Sequence, residues 1–155
     1  MKKLVGRKDL ALALTLAWMG MIFYLSHQPA SQSSELSGTF VEMLFIFMSF
    51  MPVSIDEEAV HFFIRKSAHF SAYFILGILV LHTLKLFFTL RYSVILLAFI
   101  ISLMYAITDE FHQTFIPGRS GELRDVLVDS AGSFTGIMTY LLCLILYNKL
   151  GGLDR

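Results

Sequence analysis

Side chains that could do chemistry gather in three short segments of an otherwise apolar chain. The first segment is Arg65-Lys66-Ser67-Ala68-His69. A helix brings residues three and four apart onto one face, so His69 shares a face with Lys66 and Arg65. An imidazole beside two cations could bind an anion or take part in proton transfer.

The second and third segments add carboxylates. Asp109-Glu110-Phe111-His112-Gln113 supplies two acids, an imidazole and an amide, and Asp109, His112 and Gln113 share a face if one helix runs through them. The third segment contains Arg119 and then two carboxylates four residues apart, Asp125 and Asp129.

Each of these features also has a simple structural interpretation. Arg65 and Lys66 could anchor a helix at the headgroup level of a membrane. Asp125 is expected to cap the helix that follows it. We expect His27, His61 and His82 to be incidental, because they lie in loops or far from the three segments.

Composition indicates a small polytopic membrane protein. Of the 155 residues, 56% are hydrophobic and 15% are charged, and the net charge is zero, whereas soluble domains have about 25% charged residues. These values exclude a soluble globule, a disordered tail and a nucleic-acid-binding protein. The lone Cys143 excludes a disulfide scaffold and a cysteine zinc site.

The sequence predicts an all-α membrane domain over residues 1–155 with four transmembrane helices. Their expected bounds are about 10–26, 66–85, 92–112 and 125–147. Three of these stretches are slightly short in apolar residues for a span of about 20, so polar flanking residues are expected at membrane depth. The first helix lacks a clean cleavage site and is predicted to be retained rather than removed as a signal peptide.

The distribution of charge predicts the orientation of the helices. With the N-terminus inside, eight of the twelve basic residues and two of the twelve acidic residues lie in inner segments. Positive residues favour the cytoplasmic side, so both termini are predicted to be cytoplasmic. The outer loop 27–61 then contains an apolar stretch, 40–51, which is too short to span and is predicted to form an interfacial or re-entrant helix.

This orientation brings the three segments to the outer ends of the helices. Charges at membrane depth cost roughly 2.5–3.5 kcal/mol each on insertion scales, so a shared polar pocket is the economical explanation. Gly132 and Gly136 follow Asp129 with a spacing that allows a neighbouring helix to approach closely. The predicted ligand-binding residues of the pocket are Arg65, Lys66, His69, Asp109, Glu110, Gln113, Arg119, Asp125 and Asp129.

The order of these motifs resembles the VanZ-like family of bacterial membrane proteins. The resemblance rests on Arg65-Lys66-Ser67-Ala68-His69-Phe70 with Tyr73 and Leu76-Gly77, on Asp109-Glu110 with Gln113, Phe115 and Pro117-Gly118-Arg119, on Asp125-Val126, Asp129, Gly132 and Gly136, and on Ser26 with Gln28-Pro29. It implies a four-helix, multi-pass protein of the bacterial cell membrane. The founding member of the family is associated with teicoplanin resistance, which is a phenotype rather than a reaction.

Three functions remain open at this stage. The pocket could bind the headgroup of a lipid or cell-wall precursor, with Arg65, Lys66 and Arg119 contacting its phosphate or carboxylate. Alternatively, the protein could be an interfacial hydrolase or transferase, with His69 or His112 as general base oriented by Asp109 or Asp129. A purely structural role, in which the charges pair with one another and a partner binds elsewhere, is the third.

The sequence assigns no cofactor and no metal, since no standard zinc signature is present, although imidazole and carboxylates could equally hold a divalent ion. The expected surroundings are the lipid bilayer, and the oligomeric state stays open.

Overall fold

The structure is a computed structural model that describes residues 6–29 and 57–151, and these form four helices and no strand. The helices are α1 (Arg7–Ser26), α2 (Glu57–Phe87), α3 (Tyr92–Gln113) and α4 (Leu123–Lys149). Each is long and apolar enough to cross a membrane, α2 over Phe62–Phe87. The predicted fold class is therefore confirmed, whereas the segment 40–51 lies outside the described residues.

Helix α2 begins nine residues before the position predicted from hydrophobicity alone, about 66. The sequence there begins with two acidic residues, a residue type that favours the start of a helix. No proline or glycine interrupts the chain between Glu57 and Gly77. The run of apolar residues therefore predicted the membrane-spanning part of α2. The more polar residues before that part continue the same helix.

Successive helices run in opposite directions through the bundle. Ser26 at the end of α1 bonds to Asp109 near the end of α3, and Lys66 in the first half of α2 bonds to Asp125 in the first turn of α4. The backbone nitrogen of Glu122, just before α4, donates to Glu110 of α3, so these four positions lie at one end of the bundle, which we call the polar end.

Helices α2 and α4 make the closest backbone contact. A Cβ atom built on Gly132 would collide with the carbonyl oxygen of Phe70, and one built on Gly136 would collide with that of Phe74. The prediction that this glycine pair allows a helix to approach is confirmed, and the contact holds Asp129 against α2.

Polar side chains tie the other helices together. Thr15 in α1 bonds to Thr83 in α2 with an oxygen–oxygen distance of 2.8 Å, and Trp18 donates from Nε1 to the carbonyl oxygen of Ala72 at 2.9 Å. Tyr105 in α3 donates its hydroxyl to the carbonyl oxygen of Met19 at 2.5 Å. Such bonds satisfy buried polar groups where no water is present and fix the relative rotation of the helices.

Candidate functional site

Three helices each deliver one side chain to a buried centre at the polar end. His69 comes from α2, Glu110 from α3 and Asp129 from α4. One ligand atom from each residue lies within 4.8 Å of the others, and His69 Nδ1 is 3.4 Å from Asp129 Oδ1. Glu110 and Asp129 are buried and His69 is half-buried. The close α2–α4 contact thus places an imidazole beside a carboxylate inside the bundle.

Asp129 is the most deeply buried charged group described. Its exposed fraction is 0%, and neither carboxylate oxygen has a hydrogen-bond partner among the described residues. A buried ionisable group without partners is costly. The charge of Asp129 therefore requires compensation, either by a proton on the carboxyl group or on His69, whose Nδ1 lies 3.4 Å away, or by a bound cation or ligand group.

A hydrogen-bond network joins the ends of α1 and α3 beside this centre. Asp109 Oδ2 accepts from Ser26 Oγ at 2.8 Å and from Gln113 Nε2 at 3.3 Å. Gln113 Nε2 also lies 3.2 Å from Glu110 Oε1, and the backbone nitrogen of Glu122 donates to Glu110 Oε2 at 3.1 Å. Helix α3 does continue to Gln113, so the predicted proximity of Asp109 and Gln113 is confirmed.

The loop between α3 and α4 turns back because of its Pro-Gly dipeptide. Pro117 and Gly118 occupy the centre of a turn in which the backbone nitrogen of Arg119 donates to the carbonyl oxygen of Ile116 at 3.1 Å. Gly118 has φ +77°, which glycine adopts without strain. This turn directs Arg119 back towards the bundle.

Arg119 then ties the loop to the end of α1. Its Nε donates to the carbonyl oxygen of Gln28 at 2.9 Å, its Nη2 to that of Leu25 at 3.3 Å, and its Nη1 to Gln113 Oε1 at 3.2 Å. Burial, followed by the nearby charge of Arg65, lowers the pKa of Arg119 from its usual value, yet an arginine stays protonated in proteins.

Lys66 and Asp125 form a buried ion pair between α2 and α4. The prediction that Asp125 caps α4 is wrong: the helix begins at Leu123 after Glu122, and Asp125 lies inside its first turn. A carboxylate in that turn still interacts favourably with the helix dipole. Arg65, in contrast, is exposed and has no ion-pair partner among the described residues.

His112 points to a different neighbourhood. Its Nε2 is 3.1 Å from Nδ1 of His27, and its ring stacks on Phe23 with the ring centroids 4.5 Å apart. Of the two histidines considered as a general base, the one beside a described carboxylate is thus His69.

The structure brings most of the predicted residues into one connected region and adds some that sequence reasoning missed. Ser26 and the backbone of Glu122 orient the carboxylates, and His27, expected to be incidental, contacts His112. The position of Ser26 at the end of the first span was the signal that could have identified it. Loop backbone atoms give no such signal.

Comparison with known protein families identified the chain's relationship. A family model described as VanZ/LLP1 matches residues 11–146, nearly the whole chain. Neither the curated proteins nor the solved structures contain a significant match.

Proposed function

The chain belongs to the VanZ/LLP1 family, and on that premise we propose that it binds the anionic headgroup of a lipid or lipid-linked cell-wall molecule at the polar end. The observation that carries the proposal is a pair of guanidinium groups there. Neither Arg65 nor Arg119 forms an ion pair with a described carboxylate. The positive charge of Arg65 is also one of the causes that lower the pKa of Arg119.

An anion between these groups would relieve their mutual repulsion. Guanidinium groups donate two parallel hydrogen bonds to a phosphate or carboxylate, and such charge-assisted bonds are the strong ones. Arg65 is exposed on α2 and Arg119 is half-buried in the loop before α4. A headgroup could therefore reach Arg65 first and be held against Arg119.

The other predicted ligand residues have supporting roles in this proposal. Gln113 accepts a hydrogen bond from Arg119 and donates to Asp109 and Glu110. The two carboxylates therefore fix the orientation of the amide that holds Arg119. The Lys66–Asp125 pair fixes α2 against α4. His69 and Asp129 lie deeper, where they could bind the polar part of the ligand.

The proposed location is the outer side of a bacterial cell membrane, with the termini in the cytoplasm. Two features support it: the basic residues concentrate in the segments predicted to be cytoplasmic, and the described part of the chain contains four helices that could span a bilayer. A protein that binds envelope headgroups there could alter access of teicoplanin, which carries an acyl chain, to its targets. This is the proposed origin of a resistance phenotype.

The proposal is tested by binding of phosphatidylglycerol to the purified full-length protein, measured by native mass spectrometry. Arg65→Ala should weaken binding about tenfold or more, because a hydrogen bond to a charged group contributes roughly 1.5–3 kcal/mol. Arg119→Lys should also weaken it, since lysine keeps the charge but loses the two-pronged geometry. In cells at matched protein abundance, Arg65→Ala should likewise reduce teicoplanin tolerance.

Arg91→Ala is the matched control, because Arg91 is also exposed but precedes α3 at the opposite end of the bundle. It should bind phosphatidylglycerol as the wild type does. Binding of phosphatidylcholine should be the same for the wild type and all variants. Equal phosphatidylglycerol binding by wild type and Arg65→Ala would contradict the proposal.

A second function is favoured by the His69–Asp129 contact. The distance of 3.4 Å between Nδ1 and Oδ1 suits a histidine that is oriented by a carboxylate and acts as a general base on a lipid-linked substrate. If the wild type turns over such a substrate and His69→Ala does not, while both still bind phosphatidylglycerol, the result would favour an enzyme over a binding protein.

A further inference from the structure

We propose that His69, Glu110 and Asp129 form a binding site for one divalent transition-metal ion. Their ligand atoms, from three different helices, lie within 4.8 Å of one another. The site requires neither Arg65 nor Arg119, so it can exist whether or not the protein binds a headgroup.

Buried oxygen atoms without hydrogen-bond partners give this centre the capacity to bind a cation. Asp129 is fully buried, and both of its oxygens lack hydrogen-bond partners among the described residues. Asp109 Oδ1 and the hydroxyl of Tyr73 are also buried without a partner. Tyr73 follows His69 by about one helical turn, on the same face of α2.

Apart from His69 itself, the basic side chains that are buried or half-buried in this region already interact with other groups, and Arg65 is exposed. Lys66 pairs with Asp125, and Arg119 donates to two carbonyl oxygens and to Gln113. Three carboxylates nevertheless occupy the region, and nearby like charges in a low dielectric disfavour ionisation. A divalent ion between Glu110 and Asp129 would compensate both.

The distances suit a metal with short bonds. Zinc binds imidazole nitrogen and carboxylate oxygen at about 2.1 Å, which separates two ligand atoms of a tetrahedral ion by about 3.4 Å. His69 Nδ1 and Asp129 Oδ1 are 3.4 Å apart. A ligand atom of Glu110 lies within 4.8 Å of the other two residues, so Glu110 must move closer by up to about 1.4 Å to reach the separation expected for zinc. Each of its oxygens has a further lone pair available for an ion.

Hydrogen bonds already orient Glu110 for this role. The backbone nitrogen of Glu122 and the amide of Gln113 each donate to one of its oxygens. Metal-binding carboxylates in proteins are held by such outer bonds. The α3–α4 loop would thus position a ligand without contacting the ion.

The ligand set indicates the class of metal and its chemistry. One imidazole with two carboxylates favours zinc, iron or manganese over calcium or magnesium, which prefer oxygen alone. Three protein ligands leave a position open, as in catalytic zinc sites. A water or a headgroup oxygen could occupy it.

The test is metal content of the purified full-length protein after chelation, incubation with Zn²⁺ and removal of excess ion. Mass spectrometry of the metal should give about one zinc per chain for the wild type. Asp129→Asn and His69→Ala should each lower the affinity by more than about 100-fold, since even outer partners of metal ligands change it 10–100-fold. Co²⁺ in the same site should give a visible absorption spectrum that both variants lose.

Glu122→Gln is the matched control, because it removes a carboxylate at the same end that is not a proposed ligand, and it should retain the zinc. His69→Ala provides a second test if Asp129→Asn does not fold, and size-exclusion chromatography checks both. Absence of zinc from folded wild type would overturn the proposal, because protons would then compensate the carboxylates. Equal zinc content in wild type and folded His69→Ala would overturn it as well.

Discussion

Lys66 carries its charge in a buried position, and Asp125 is the group that compensates it. The side chains of Lys66 and Asp125 are 10% and 9% exposed. Removing one member of a buried ion pair leaves the other charge uncompensated, which costs about 3–5 kcal/mol. We therefore expect Lys66→Met to lower the melting temperature of the detergent-solubilised protein markedly, as measured by thermal unfolding.

The double variant Lys66→Met with Asp125→Asn tests whether the stability lost in Lys66→Met comes from the uncompensated charge of Asp125. Because no uncompensated charge is left, it should recover most of the stability lost in Lys66→Met. A double variant that is less stable than Lys66→Met would contradict the assigned pairing. Adding the single variant Asp125→Asn completes a double-mutant cycle, which measures the coupling between the two side chains.

Sequence reasoning predicted which residues gather at the polar end better than it predicted how they pair. Polar side chains at the ends of apolar spans must meet other polar groups, so their residue types and positions identified Asp109, Gln113 and Asp129. Pairing depends on how each helix is rotated about its axis, which periodicity within one helix does not determine. The bonds of Ser26 to Asp109 and of Lys66 to Asp125 therefore required coordinates.

At the scale of helices, the α2–α4 contact controls the position of Asp129. Gly136 lies where a Cβ atom would meet the carbonyl oxygen of Phe74. Gly136→Ala should separate the two helices and cost roughly 1–3 kcal/mol, the usual range for overpacking. The measurement is thermal unfolding together with the zinc content of the variant, which should fall because His69 and Asp129 lie on the two separated helices.

Gly20→Ala is the control for this prediction. Gly20 also lies within a helix, but a Cβ atom there would have nothing within 4 Å. Alanine is the better helix former, so this variant should be at least as stable as the wild type. If Gly136→Ala matched it in stability and zinc content, the close approach would not be needed to hold the site.

The four helices themselves could be predicted because each contains a long apolar run, but their ends could not all be predicted. Hydropathy marks where a helix enters the hydrocarbon and not where its hydrogen bonds stop. Helix α2 therefore starts at Glu57, and α4 starts two residues before Asp125. That second difference is the reason that Asp125 is free to pair with Lys66 instead of capping its helix.

At the scale of the whole molecule, the direction of insertion decides which side of the membrane the polar end faces. Antiparallel packing places the ends of α1 and α3 beside the starts of α2 and α4. The side of the membrane on which one exposed loop residue between α3 and α4 lies is therefore the side of all four of these helix ends. Ser120 is exposed in that loop, and Cys143 is the lone cysteine of the chain. A Cys143→Ser background therefore permits a single-cysteine test.

In intact bacterial cells, Ser120→Cys in this background should react with a membrane-impermeant maleimide, because the excess of basic residues at the opposite end favours the cytoplasmic side. Asn148→Cys, at an exposed position near the end of α4, is the control and should react after the cells are broken. The reverse pattern would place the polar end in the cytoplasm. Headgroups of the outer leaflet could then not reach Arg65, and an effect on teicoplanin would lose its physical basis, whereas the metal site would be unaffected.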